Sequence, residues 1–204
     1  MTFRNLTLLA NARNIILGSA SPRRVELLRE TGIKFRQLIS DVSEHDDHDG
    51  NPFFHARKLA EEKAVSVAKK VGPQDLVIGA DTIVVLENKI MGKPTDKKDA
   101  AKILKELSGK KHTVCTALAF ADSNELMISG YDLTDVYFNH VTEERIEEYI
   151  ETGEPMDKAG AYGIQGMGGF LVDRIEGELD TVIGFPRLLL ERLSGEVYAK
   201  IREK

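Results

Sequence analysis

The segment Leu76 to Leu86, Leu-Val-Ile-Gly-Ala-Asp-Thr-Ile-Val-Val-Leu, constrains the fold of this chain more than any other. It is rich in β-branched residues and apolar on both faces, the pattern of a strand buried on both sides. Asp81 stands in its middle. A carboxylate in a buried strand is costly unless it is paired or bound to a metal, and aspartate is a poor strand former. No structural need calls for it, so Asp81 is read as functional. Thr82 follows it. If the strand stays regular, Thr82 points to the opposite face; if it bends at Gly79, both side chains enter the same cleft.

A second feature lies near the start. Ile15-Ile16-Leu17 reads as a short buried strand, Gly18-Ser19-Ala20 as a small-residue turn, and Pro22 onward as a helix. Ser21 suits the N-cap and Pro22 the first helical position, where a missing N–H costs nothing. Arg23 and Arg24 then fall in the first turn, against the helix dipole, which favours negative charge there. Two solvated arginines on a surface helix would explain this. So would an external anion, most simply a phosphate, held on the free N–H groups.

Helical spacing marks a further helix over about Phe53 to Val71, with Ala56, Leu59, Ala60, Ala64, Val67 and Val71 as its buried stripe. Lys63 falls on the same stripe and must snorkel to water or meet an anion. The preceding loop, Ser40 to Asn51, is dense in acidic residues and histidine. Asp46 to Asp49 read as a solvated loop, whereas Glu44, nearer a strand end, is kept as a candidate ligand. Lys93 sits on a stiff loop between Gly92 and Pro94. A helix over about Asp96 to Leu107, a hairpin of two long strands (His112–Ala121 and Leu126–Val141), and a glycine-rich stretch from Asp157 to Gly169 follow. That stretch lacks the spacing of a dinucleotide fingerprint and implies backbone packed close to something.

The totals exclude several classes. With 204 residues and a net charge of −5, the chain is expected to be one domain without the broad basic field of a nucleic-acid or membrane-surface binder. No apolar run approaches the roughly 20 residues of a membrane span. The single cysteine, Cys115, lies in an apolar strand and reads as packing; its solitude fits a reducing, cytoplasmic setting. Residues 1–14 are too short and polar for a signal peptide and are expected to form an N-terminal extension, with one domain over 15–204.

Ser19–Leu28, Gly79-Ala80-Asp81-Thr82, Gly92-Lys93-Pro94 and Asp157–Gly166 stand in this chain in an order and spacing that resembles the Maf family of nucleoside triphosphate pyrophosphatases. The resemblance covers nearly the whole chain after Asn14. It implies an elongated, two-lobed α/β fold around a mixed, strongly twisted sheet with an inter-lobe cleft, like the inosine triphosphate pyrophosphatases. The run Lys158–Gly166 looks like the subgroup cleaving dTTP and UTP rather than 7-methyl-GTP. In that subgroup, the position matching Asp81 is associated with catalysis, and those matching Arg23, Thr82 and Gln165 with base choice. Those matching Ser21, Arg24, Glu44, Lys63 and Lys93 line the active site. The run Glu178-Leu179-Asp180-Thr181 departs from the family pattern, in which an aromatic and an asparagine are more familiar.

Cleaving a triphosphate at its α-phosphorus requires charge compensation on the leaving pyrophosphate and an oriented water. Arg23, Arg24, Lys63 and Lys93 can supply the first, Arg24 mainly on phosphate and Arg23 also on the base. Asp81 and Glu44 are expected to hold Mg2+ or Mn2+, Asp81 also orienting or deprotonating the water. Gln165 carries both a donor and an acceptor for the uracil or thymine edge. The expected partner is thus a small nucleotide, with neither nucleic acid nor membrane. A homodimer is left open. Competing readings are the 7-methyl-GTP activity, a modified pyrimidine triphosphate as the substrate, a nucleotide-binding regulator of septum formation, and a phosphatase with Asp81 as covalent nucleophile.

Overall fold

In the computed structural model, which describes residues 2–43 and 50–203, the segment with Asp81 is strand β3 (Asp75–Leu86), buried throughout except at half-buried Thr82. Strand β5 (Lys111–Ala121) runs antiparallel along one edge of it without interruption, from Val77 opposite Ala121 to Val85 opposite Thr113. The other edge is shared. β1 (Asn14–Leu17) lies parallel to its first residues, ending with Leu17 beside Ile78. β4 (Lys89–Met91) lies antiparallel to its last, from Val84 opposite Met91. Between them, among the described residues, no strand covers Gly79 to Ile83. β2 (Phe35–Gln37), β6 (Met127–Phe138) and β7 (Val172–Glu176) complete a mixed sheet of order β2-β1-β3-β5-β6-β7, with β4 beside β3.

Strict alternation along β3 builds the two lobes. Val77, Ile83 and Val85 face helix α3 (Pro52–Ala68), with Ala56, Ala60, Ala64 and Val67 beneath them. On the opposite face, Ile78 and Ala80 belong to one apolar core, with Leu17, Leu28, Phe120, Phe185 and Leu190. Val84 and Leu86 belong to another, with Leu104, Leu107, Ile146, Tyr149 and Leu171. Thr82 is the residue between these cores, so the seam between lobes passes over it.

Helix α1 (Arg4–Ala12) occupies most of the expected N-terminal extension. Leu6 and Leu9 are fully buried in the first core, against the C-terminal helix that runs from Arg187 to Arg202. The Glu191 carboxylate accepts the backbone N–H groups of Asn5 at 2.7 Å and Leu6 at 3.0 Å, satisfying two of the orphan donors at the start of α1. The segment is therefore packed against the body of the protein.

In the second lobe, His112 is 2 % exposed, its Nε2 is 2.8 Å from the Tyr162 hydroxyl, and its Nδ1 has no partner among the described residues. Burial lowers its pKa from 6.5 to about 4. Between those values the unfolded chain binds a proton that the folded chain refuses, so stability rises with pH through that window and falls on acidification. Acidifying from pH 7 to pH 4 is expected to cost roughly 3 kcal/mol through this residue. Melting temperature against pH for the wild type and His112→Gln measures it; equal acid sensitivity of the two would exclude His112 as the source.

Candidate active site

The strand–turn–helix at the start of the chain folds as its residues dictate. The Gly18 N–H donates to Ile78 O at 2.8 Å, continuing the β1–β3 ladder by one step. Helix α2 (Pro22–Arg29) then begins with proline in its first turn and Ser21 at the N-cap position. Ser21 makes no side-chain cap, however. Its N–H donates instead to Ser19 Oγ at 3.2 Å, so Ser19 organises the turn and the Ser21 side chain stays at the cavity wall.

Arg24 lies inside the wall. Its Nε donates to Gly184 O at 2.9 Å, Nη1 to Ala80 O at 2.9 Å and Ser19 Oγ at 3.3 Å, and Nη2 to Thr82 Oγ1 at 3.0 Å. The guanidinium fork thus satisfies the Ala80 carbonyl on the stretch of β3 that no strand covers, and ties that stretch to the turn before helix α2. It also reaches the residue ending helix α6 (Leu179–Ile183). Arg24, expected to bind mainly phosphate, here ties these segments of the wall together and also borders the cavity. Sequence spacing could not show this, because three of the four acceptors come from two distant segments.

Lys63 does not snorkel. It is 6 % exposed, and its Nζ donates to Asp81 Oδ1 at 2.6 Å, with Asp81 itself 3 % exposed. Gly79 makes this pairing possible: a Cβ there would sit 2.3 Å from Ala60 O and 2.7 Å from Ala64 N. Helix α3 therefore lies directly on the strand backbone, one turn of it bringing Lys63 over Asp81. Gly79→Ala is expected to lift α3, since backbone cannot yield as a flexible side chain would. It should cost about 1–3 kcal/mol and weaken activity by separating Lys63 from Asp81. Unchanged melting temperature and turnover would contradict that geometry. Cys115 is also buried, and burial followed by the nearby Asp81 and Asp132 charges raises its thiol pKa. It is packing, as its strand setting implies, and not a nucleophile.

The opposite wall comes from the glycine-rich stretch, folded into 3-10 turns at Glu154–Asp157, Ala159–Ala161 and Gly166–Leu171. Gly160 has φ +70°, and a Cβ there would lie 2.9 Å from Val84 Cγ2; its N–H donates to Gly92 O at 3.0 Å. This contact joins the stretch to the loop of Lys93. Farther along, the Glu154 carboxylate accepts the N–H groups of Met167 at 3.0 Å and Gly168 at 3.2 Å and the Tyr149 hydroxyl at 3.0 Å. The loop carrying Gln165 is thereby fixed, while Gln165 itself stays exposed.

These walls enclose a cavity of about 400 Å³. Ser21, Arg23, Arg24, Lys63, Asp81, Thr82, Lys93 and Gln165 all line it. Glu44, the other expected ligand, lies outside the described residues. Asp81 and Thr82 reach one cavity although β3 stays regular and they point to opposite faces. The cavity wraps around the uncovered edge between β1 and β4, which neither alternative from the sequence anticipated. Two further residues, Asp157 and Lys158, line the wall, and nothing in the sequence beyond their place in the glycine-rich motif marks them for it. Lys158 Nζ donates to Asp157 Oδ1 at 2.7 Å. The Asp157 pKa is lowered, with hydrogen bonding from Lys158 and the charges of Lys158 and Arg23 outweighing burial, which acts the other way. Among the described residues, no group of three His, Cys, Asp or Glu side chains could hold a metal.

Residues 14–197 match the Maf-like protein family. A dTTP/UTP pyrophosphatase of Aquifex aeolicus is 46% identical over 183 residues, covering 90% of this chain and 95% of that protein. A dTTP/UTP pyrophosphatase of Geotalea uraniireducens is 49% identical over 174 residues, covering 85% and 89%. The Staphylococcus aureus Ham1 protein shares the fold, with a TM-score of 0.53 at 11% identity, covering 92% of this chain and all of that one. On the strength of the family match and of relatives aligned along nearly their full length, this chain belongs to the Maf-like protein family.

Proposed function

We propose that this protein is a nucleoside triphosphate pyrophosphatase that hydrolyses dTTP and UTP to the nucleoside monophosphate and pyrophosphate. The buried Lys63–Asp81 pair, set where the edge of β3 opens into a cavity with cationic side chains, carries the reading. The relatives named dTTP/UTP pyrophosphatase support it and its substrate class.

Asp81 Oδ1 is held by Lys63, and Oδ2 accepts no hydrogen bond from the described residues, so it can orient a water and take its proton. Lys63 keeps the carboxylate aimed while offering positive charge to the phosphates. Arg23 and Lys93, from two other segments of the wall, compensate charge on the departing pyrophosphate. Arg24 fixes the wall from behind.

The donor set suits a hard divalent cation. Mg2+ is commonly bound through one or two carboxylates together with substrate phosphates, and Asp81 offers one carboxylate at the cavity. Asp81, with Glu44 as the second expected ligand, would hold Mg2+ or Mn2+. When bound, the cation neutralises phosphate charge and polarises the phosphoryl oxygens.

No helix among the described residues is long and apolar enough to cross a membrane, and the lone buried cysteine is consistent with a reducing compartment such as the cytoplasm. A panel of nucleoside triphosphates with Mg2+, with both products identified, tests the reading. Pyrophosphate and UMP from UTP are expected. Orthophosphate and UDP would overturn it in favour of a phosphatase.

A further inference from the structure

The proposed substrates raise a problem that Gln165 cannot solve alone. Uracil and thymine present a donor at N3 and an acceptor at position 4, and cytosine presents the reverse. Gln165 is exposed, and no hydrogen bond among the described residues orients its amide, so it can turn over to meet either pattern. Separating UTP from CTP needs a polar group whose direction is fixed.

Thr82 is such a group. Thr116, opposite it on β5, is fully buried and donates its hydroxyl proton to Thr181 O at 2.7 Å. A carbonyl oxygen can only accept, so Thr116 has no proton left for its other neighbour, Thr82 Oγ1, at 2.9 Å. Thr82 must therefore be the donor in that pair. Its oxygen also accepts from Arg24 Nη2 at 3.0 Å. With the proton committed to Thr116 and one lone pair to Arg24, a single lone pair remains for the cavity that Thr82 lines.

We infer that Thr116 is a positioning residue for specificity: it locks Thr82 as an acceptor-only contact that reads the N3–H of a uracil or thymine base and rejects the N3 lone pair of cytosine. This rests on the pyrimidine triphosphate reading above. A sugar hydroxyl is a less fitting target. It can rotate to donate or accept, so a fixed acceptor would discriminate nothing, and the 2′-hydroxyl is absent from dTTP. The run containing Thr181 enters this arrangement through its backbone oxygen, while Thr181 Oγ1 is engaged by Asp132.

The test is kcat/KM for UTP and CTP in the wild type, Thr116→Val, Thr116→Ser and Thr82→Val, with melting temperatures recorded. Removing the Thr116 hydroxyl frees Thr82 to turn its proton toward the ligand, so the UTP/CTP ratio is expected to fall about tenfold, the worth of one neutral hydrogen bond. Thr116→Ser should restore it. Thr116→Val should have no further effect in the Thr82→Val background, because the influence passes through Thr82. A folded Thr116→Val enzyme with the wild-type ratio would overturn the inference. Should that variant not fold, 3-methyl-UTP and the wild type decide: cleavage as efficient as that of UTP overturns it, and strong discrimination supports it. If the wild type cleaves neither UTP nor dTTP, the functional reading fails and this inference with it.

Discussion

Asp81→Asn is expected to lower kcat for UTP by about 10²- to 10⁴-fold, the usual contribution of a positioned general base, with KM changed far less. The reasoning starts from the strand. Asp81 is one of the few charged groups in the cores, and nothing in the packing of β3 needs it, since Gly79, Ala117 and Ala119 around it are small and apolar. Asparagine keeps the shape and can still accept from Lys63, but it cannot take a proton from water. Turnover by purified Asp81→Asn within tenfold of the wild type would remove Asp81 as the base. A parallel collapse of substrate binding would shift its role toward holding the cation.

Lys63→Met is expected to be the most destabilising single change at the site, by about 3–5 kcal/mol, and to abolish most activity. Methionine fills a similar volume, so packing on α3 is little altered. What is lost is the cation facing a carboxylate whose side chain is 5 % exposed. A buried charge deprived of its partner costs far more than the pair contributes when intact, because desolvation is no longer offset. Thermal or urea unfolding should show the loss. Combining Lys63→Met with Asp81→Leu should recover most of the stability and none of the activity, because the uncompensated charge disappears with the catalytic group. If Lys63→Met proves as stable as the wild type, water reaches Asp81 well enough to make the pair dispensable for folding.

The two changes divide the roles of one ion pair. Asp81→Asn separates chemistry from folding, and Lys63→Met joins them. Both depend on Gly79, whose missing side chain lets α3 approach the sheet.

Much of this was legible from residue order. The continuous β-branched, apolar run along Leu76–Leu86 and the periodicity of three to four along α3 are local properties, and they placed Asp81 on a buried strand and Lys63 on a buried stripe. Proline in the first turn of α2 marked its start within a residue. The packing of the segment before Asn14 is not legible in residue order, because the partner of Leu6 and Leu9 is the helix at the far end of the chain. The capping role given to Ser21 fails because its side chain accepts no N–H of the first turn of α2, while its own N–H is held by Ser19 Oγ.

By itself, the sequence determined which residues are polar where burial is expected, and hence that Asp81 had to find a partner and Lys63 an anion or a path to water, with the arginines of α2 either solvated or facing an anion. Tertiary structure decided which partners. β1 stops beside Ile78 and β4 starts beside Val84, so an edge of β3 opens and two side chains on opposite faces share one cavity. Arg24 turns inward because the Ala80 carbonyl on that edge needs a donor, and the direction of the Thr82 hydroxyl depends on a carbonyl from Thr181. Periodicity reports only neighbours a few residues apart, whereas hydrogen-bond saturation and direction depend on atoms brought together from distant segments.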